Sequence, residues 1–226
     1  MKVIENIPVE LDADDLVKGL RIRRNVDYMR DKLDSLIETI ALVMKPKALY
    51  SVSFVDKIEG DQVTIGDTVF TCKVVRMNLE HVGRVFPYIV TAGSEVDALE
   101  LSKGQSAMLL DQVKTVVVSK AYQYLRAYLA EKYGIKRLSS VAPGRLDEWP
   151  ITQQRELFSL FGGNVGRIGV RLTHTCLMVP LKTVSGLLFP SETGFESCEL
   201  CSREKCMGRR AAFDPMLVEI FGIENQ

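Results

Sequence analysis

The sequence has no long hydrophobic run, no excess of charge of one sign and very little histidine. Its apolar runs stay far below the roughly 18 residues that a membrane span needs, so we expect no membrane helix. Lysine plus arginine and aspartate plus glutamate both number 29, a balance that gives no overall positive field for nucleic acid or anionic lipid. The segment from Met1 to Asn6 lacks the apolar core of a signal peptide. We therefore expect a cytoplasmic protein that binds neither nucleic acid nor membrane.

The motifs of several large enzyme classes are also missing. There is no G-x-G-x-x-G after a predicted strand, no G-x4-G-K-[ST], no G-x-S-x-G and no H-E-x-x-H. The chain has 2 histidines. One of them, His174, lies between two threonines on a predicted strand with no Asp or Glu nearby in sequence. A local acid–base dyad is therefore unsupported, and the sequence favours ligand positioning over proton transfer.

The size and apolar content of the chain suit a folded core. With 226 residues and 46% hydrophobic residues, we predict a single domain over 1–226, with a cysteine-bearing C-terminal tail at 190–226. Periodicity and capping signals predict helices at 12–20, 26–44, 105–133, 151–160 and 215–221. Alternating and β-branched runs predict strands at 48–55, 62–65, 68–75, 85–92, 167–179 and 182–189.

The order of these elements decides the fold class. Strands and helices are intermixed without regular βαβ alternation, which favours α+β over a doubly wound sheet. We predict a mixed, mainly antiparallel twisted sheet with a long central helix, residues 105–133, and flanking helices. Gly134 is the expected C-cap of that helix, and 136–141 is predicted to be a linking loop.

Two glycine-containing segments are candidates for holding a ligand. In Ala142-Pro143-Gly144-Arg145, proline fixes the approach of the chain and glycine exposes its backbone without steric hindrance. Such loops often recognise the edge of an adenine, although an isolated Pro-Gly is more commonly a plain connector. In Ser185-Gly186, a glycine inside a strand indicates a bulge or the close approach of another group.

Trp149 is the only tryptophan and precedes a proline. It could stack on a planar ligand, but a lone Trp-Pro before a helix is more often part of the core. We therefore predict a core position for Trp149.

Five cysteines give an odd count with no secretion signal, so a disulfide framework is not expected. Cys198, Cys201 and Cys206 form C-x2-C-x4-C, which provides three thiolate ligands for a zinc ion or an iron–sulfur cluster. A fourth ligand is missing from the segment, and Cys72, Cys176 or His174 could supply it. The alternatives are three free thiols in a flexible tail, or an adventitious disulfide in the purified protein.

Several short motifs in order resemble a known family. A-P-G-R-x-D-E-W-P, I-G-V-R-L-T-H-T-C-L-M-V-P and V-S-G are together similar to the activation domain of cobalamin-dependent methionine synthase. The resemblance covers about 45 residues, and three positions differ from the family. Arg145 replaces a tyrosine, His174 replaces an acidic residue, and the arginine that usually precedes the loop is displaced to Arg137.

The resemblance implies a ligand, a partner and a reaction. It implies S-adenosylmethionine bound through Arg137, Ala142, Pro143, Gly144, Arg145, Ser185 and Gly186, with an arginine meeting the ligand carboxylate. It also implies reductive methylation, in trans, of cobalamin carried by a corrinoid-binding methionine synthase or methyltransferase, with flavodoxin or ferredoxin as reductant. Such a reaction depends on positioning and needs little acid–base chemistry.

Two other readings remain open at this point. The chain could be a non-catalytic corrinoid-protein adaptor or S-adenosylmethionine-sensing module with a metal-binding cysteine tail, which the changes at Arg145 and His174 favour. It could also be a scaffold protein in which zinc on the cysteines is purely structural.

Overall fold

In the computed structural model of the protein, residues 1–99, 106–204, 206 and 209–223 are described. The strands are β1 (Lys2–Ile4), β2 (Lys47–Tyr50), β3 (Ser53–Glu59), β4 (Gln62–Ile65), β5 (Thr68–Thr71), β6 (Arg84–Thr91), β7 (Leu138–Val141), β8 (Arg171–Leu172), β9 (Met178–Val179) and β10 (Thr183–Pro190). The α-helices are α1 (Ala13–Gly19), α2 (Val26–Val43), α3 (Lys73–Leu79), α4 (Ser94–Asp97), α5 (Ala107–Tyr133), α6 (Gln154–Ser159) and α7 (Pro215–Phe221). Short 3-10 turns at Ile151–Gln153, Asn164–Ile168 and Ser197–Leu200 complete the regular structure.

Strand β6 lies at the centre of an eight-stranded sheet. One edge of β6 pairs with β2 and then with β3, and the other edge pairs with β10. Strand β1 extends the sheet beyond β2, the β3–β4–β5 meander extends it beyond β3, and β7 pairs with the far half of β10. All these pairs are antiparallel, so the predicted α+β class with a mainly antiparallel sheet is confirmed.

Helix α5 is the long central helix that the sequence predicts. Ser106 accepts a hydrogen bond from the backbone N–H of Leu109 at 3.3 Å and so caps its start. Gly134, with φ +63°, ends it in the left-handed conformation. Its buried face packs on β2, β6 and β10 in the largest core cluster. The helix therefore covers one face of the sheet at these three strands.

The predicted loop at 136–141 is wrong, because Leu138–Val141 forms strand β7. Its register with β10 runs from Leu138 opposite Pro190 to Val141 opposite Leu187. Two serines lie in the middle of this strand and lower its apparent strand propensity. Pairing with β10 supplies the missing stabilisation, and all four β7 residues are buried.

The predicted strand at 48–55 is divided into β2 and β3, with a break after Tyr50. Two further predicted strands also differ. The predicted strand at 68–75 ends at Thr71, and α3 begins at Lys73 with Val74, Val75 and Leu79 buried. The predicted strand at 167–179 reduces to the short pair β8 and β9 around a turn. In both places the β-branched or apolar residues that suggested a strand pack in the core from a helix or a turn instead.

Among the described residues, no helix has the length and apolar character to cross a membrane. Within the predicted tail, 190–226, the final helix forms as expected. Asp214 caps α7 by accepting from the N–H of Met216 at 2.9 Å, and Pro215 occupies the first helical position.

Candidate ligand-binding site

The Pro-Gly loop follows directly from the end of β7. The backbone N–H of Gly144 donates to the carbonyl of Trp149 at 2.7 Å, and the N–H of Arg145 donates to the carbonyl of Ala142 at 3.4 Å. Gly144 has φ +74°, a conformation that side-chain-bearing residues rarely adopt. Gly144 is exposed, whereas Pro143 is buried. The loop is therefore a closed turn that presents Gly144 to solvent.

Gly186 of β10 lies directly against the start of this loop. A Cβ atom at Gly186 would come closer than 3.0 Å to the Val141 carbonyl oxygen, and within 3.1 Å of both the Ala142 Cβ and the Tyr88 hydroxyl. The structure thus brings together the two segments that the sequence singled out separately, and shows the close approach predicted at Gly186. Their role as ligand-binding residues stays a prediction.

Ser185, the neighbour of Gly186, is held by a side chain that the sequence did not indicate. The Gln154 Nε2 donates to the Ser185 hydroxyl, and the same nitrogen lies 3.5 Å from the Met178 sulfur. Gln154 and Ser185 are only 1% and 5% exposed. This buried hydrogen bond ties α6 to β10 beneath the Pro-Gly loop and fixes the position of Ser185.

Exposed apolar side chains lie beside the loop. Ile151, whose Cδ1 would be 2.7 Å from a Cβ at Gly144, is 43% exposed. The turn between β8 and β9 packs nearby, since the Cys176 thiol donates to the Thr152 carbonyl at 3.8 Å. Leu177 in that turn is 55% exposed. Ile151 therefore offers apolar surface next to the exposed Gly144, and the exposed Leu177 lies in the adjoining turn between β8 and β9.

His174 lies in the same turn. Its backbone carbonyl accepts a hydrogen bond from the Arg155 guanidinium at 2.6 Å. The predicted long strand around it is replaced by the turn between β8 and β9, because Arg155 and Thr152 hold that turn against the 3-10 turn and α6.

A cluster of buried aromatic groups, a buried glutamate and two half-buried arginines lies behind Gly186, and we call it the arginine–tyrosine cluster. It consists of Tyr88 on β6, Tyr122 and Arg126 on α5, and Glu196 and Arg210 in the tail. The two tyrosine rings are 5.2 Å apart, and the Arg210 guanidinium lies 4.6 Å from the centre of the Tyr122 ring. Arg126 forms an ion pair with Glu196 and donates to the Leu138 carbonyl at 2.6 Å.

Burial dominates the electrostatics of this cluster. It raises the pKa of Tyr88 well above its usual value, and it also raises the pKa values of Tyr122 and Glu196. The positive charge of Arg145 opposes each of these increases in pKa. Arg145, from the Pro-Gly loop, therefore acts electrostatically on the same buried groups that the tail contacts.

The tail reaches the cluster by pairing with β7. The N–H of Ser140 donates to the Phe195 carbonyl at 3.0 Å, and Ser140 and Glu196 form a parallel bridge. The Ser197 hydroxyl donates to the Ser140 carbonyl at 3.4 Å. Glu196 and Glu199 form a reciprocal capping box at the start of the 3-10 turn. Glu196 is thus fixed on both its backbone and its side chain.

Arg137 is not brought to the Pro-Gly loop. It lies just before β7, at the opposite end of the strand, where its Nη1 donates to the Glu192 carbonyl at 3.1 Å. An open pocket of about 320 Å³ lies there, lined by Arg126, Ala127, Ala130, Lys136, Arg137, Leu138 and Gly194. Contact between Arg137 and a ligand in the loop stays a prediction, and Arg145 is the nearer candidate.

The cysteines of the tail surround an arginine. Arg209 donates to the carbonyls of Cys198 and Cys201 at 3.0 and 2.9 Å, and the Arg210 N–H donates to the Cys198 sulfur at 3.4 Å. Cys206 is exposed. Within the described ranges, no three His, Cys, Asp or Glu side chains are arranged to hold a metal ion. A zinc ion or iron–sulfur cluster on Cys198, Cys201 and Cys206 stays a prediction.

Comparison with known proteins supports the fold. No family model and no curated protein matches the sequence. The structure is similar to a crystal structure of the MetH reactivation domain bound to AdoHcy, with a TM-score of 0.54 and 14% identity. The match covers 84% of this chain and 78% of that one.

The chain has the fold of the MetH reactivation domain. At this level of identity the likeness concerns the fold, and it confirms the architecture implied by the short motifs at 142–186.

The arginine–tyrosine cluster has no such motif. Its residues are spread from Tyr88 to Arg210 and form no sequence pattern, so only the folded chain shows that they meet.

Proposed function

We propose that the chain binds S-adenosylmethionine in a cradle formed by the Pro-Gly loop and by Ser185 and Gly186. The observation that carries this proposal is the close approach of Gly186 to Val141 and Ala142. The strand and the start of the loop therefore meet through two small residues, Gly186 and Ala142. The structural neighbour with this fold was crystallised with AdoHcy, the product of methyl donation from S-adenosylmethionine.

The residues present suit a positioning role. Gly144 is exposed at the tip of a turn held by Trp149, and Ser185 is fixed by Gln154. Arg145 places a permanent positive charge at the loop. S-adenosylmethionine would supply an activated methyl group, and the chain would hold that group in place and keep water from it.

We further propose that the acceptor is cobalamin on a partner, a corrinoid-binding methionine synthase or methyltransferase in the cytoplasm. Inactive cob(II)alamin would take one electron from flavodoxin or ferredoxin and a methyl cation equivalent from S-adenosylmethionine, giving methylcobalamin and S-adenosylhomocysteine. The exposed Ile151 and Leu177 provide apolar surface at the loop for such a partner. Proximity supplies the rate enhancement, so no acid–base pair is required.

The test is an anaerobic reactivation assay. A corrinoid methyltransferase in the cob(II)alamin form is mixed with reduced flavodoxin and S-adenosylmethionine, with and without this chain, and methylcobalamin is followed by absorbance. We expect methylcobalamin only when the chain is present. Gly144→Val, which crowds Ile151 and strains a left-handed position, should lower the rate at least tenfold. Gly166→Ala, placed in open space, should leave it unchanged.

A second function is favoured by Arg145 and His174, which stand where the resemblance to the activation domain implies a tyrosine and an acidic residue. These changes suit a module that binds the ligand without supporting methyl transfer. Such a corrinoid-protein adaptor or S-adenosylmethionine sensor would bind the ligand but yield no methylcobalamin in the assay above.

A further inference from the structure

Unpartnered polar atoms are concentrated in one small region of the molecule. In the described part of the chain, eight buried side-chain nitrogen or oxygen atoms lack a hydrogen-bond partner. Four of them lie in or beside the arginine–tyrosine cluster: Tyr88 Oη, Ser140 Oγ, Glu196 Oε2 and Arg210 Nη2. Buried polar groups normally have partners, so this concentration indicates a site for a polar ligand.

The cluster is next to the proposed cradle. The Tyr88 hydroxyl would be 3.1 Å from a Cβ at Gly186, and Ser140 is one residue before Val141, which Gly186 contacts. Gly186 is therefore the point at which the proposed cradle and the cluster meet. Tyr88 is 0% exposed and Ser140 is 1% exposed.

The free atoms match a zwitterion. Arg126 pairs with Glu196 Oε1, while Oε2 of the same carboxylate is 3.7 Å from the Arg210 Nε without a hydrogen bond. Glu196 Oε2 can accept from an ammonium group, and Arg210 Nη2 can donate to a carboxylate. One free acceptor with negative charge and one free donor with positive charge are the complement of an α-amino acid.

We propose that the arginine–tyrosine cluster binds the amino-acid end of the ligand, with Glu196 on its ammonium group and Arg210 on its carboxylate. This inference rests on the proposed binding of S-adenosylmethionine and adds that the cysteine-bearing tail completes the site. Arg126, a member of the cluster, also lines the open pocket at Leu138 and Gly194. The tail therefore determines which adenosyl thioethers the chain holds tightly.

The test compares two ligands that differ only at the proposed contact. S-adenosylhomocysteine carries the amino-acid end, and 5′-methylthioadenosine lacks it. By titration calorimetry, the unmodified chain should bind S-adenosylhomocysteine at least tenfold more tightly than 5′-methylthioadenosine. Arg210→Met should weaken S-adenosylhomocysteine binding about tenfold or more, as expected for a lost charge-assisted hydrogen bond, and change 5′-methylthioadenosine binding less than twofold. Arg203→Met, at an exposed arginine of the same tail, should change neither.

Glu196→Gln keeps the shape of the side chain and provides a second variant, in case Arg210→Met fails to fold. It should show the same selective weakening. If either folded variant weakens both ligands equally, or weakens neither, the subsite is overturned while the cradle stands. If the unmodified chain binds neither ligand, the proposed function itself fails, and the subsite with it.

Discussion

Replacing Gly186 by alanine is expected to lower the free energy of unfolding by about 2 to 3 kcal/mol, as overpacking of a close-packed interior does, and to abolish S-adenosylmethionine binding. The added methyl group would be closer than 3.0 Å to the Val141 carbonyl oxygen, which is backbone and has little freedom to move. Either β10 must shift away from β7, or the Pro-Gly loop must move outward. Both movements change the cradle.

Urea unfolding and ligand titration together measure this effect. The control is Gly166→Ala, because Gly166 has no atom within 4 Å of an added Cβ and does not have a positive φ. We expect that control to change stability by less than about 0.5 kcal/mol, as ordinary surface substitutions do. A Gly186→Ala protein with unchanged stability and affinity would show that β7 and β10 are not in contact here.

Trp149→Ala is expected to cost about 3 to 5 kcal/mol of stability, the range typical of removing a large buried aromatic side chain. Trp149 is 2% exposed and meets Phe70 edge to face, with ring centres 5.8 Å apart. Its indole N–H donates to the Gln153 side chain at 3.2 Å, and its carbonyl holds Gly144. The predicted core position of Trp149 is confirmed, so the loop should lose order together with the core.

The measurement is urea unfolding followed by far-ultraviolet circular dichroism, since the variant has no tryptophan fluorescence. Trp149→Phe, which keeps an aromatic ring against Phe70 but loses the indole N–H, should cost clearly less than the alanine variant. If Trp149→Ala instead weakened ligand binding with no loss of stability, the tryptophan would be a ligand-stacking residue and our assignment to the core would be wrong.

The parts of the fold that the sequence predicted are those with strong local signals. The long helix α5 has an apolar stripe and Gly134 at its end, and both act as expected, whereas its N-cap Ser106 was not predicted. Strand β7 was missed because its two central serines carry no strand signal, and its pairing partner β10 is distant in sequence. Long-range pairing decides such a strand, and local propensity does not.

The same distinction applies to the site. The Pro-Gly loop and Gly186 could be predicted from sequence because glycine and proline restrict or permit particular backbone conformations, whatever residues surround them. Gln154 and Glu196 carried no signal. A glutamine on a short helix and a glutamate in a polar tail are ordinary surface residues until folding buries them beside Ser185 and Arg126.

Titration of the purified chain with S-adenosylhomocysteine measures directly whether the proposed cradle binds its ligand. We predict a single saturable binding site, and a rise in unfolding temperature with ligand concentration because the ligand binds only the folded state. At a hundred times Kd this stabilisation amounts to about 2.7 kcal/mol. No heat of binding and no thermal shift at millimolar ligand would contradict the assignment of the Pro-Gly loop and Gly186 as the ligand cradle.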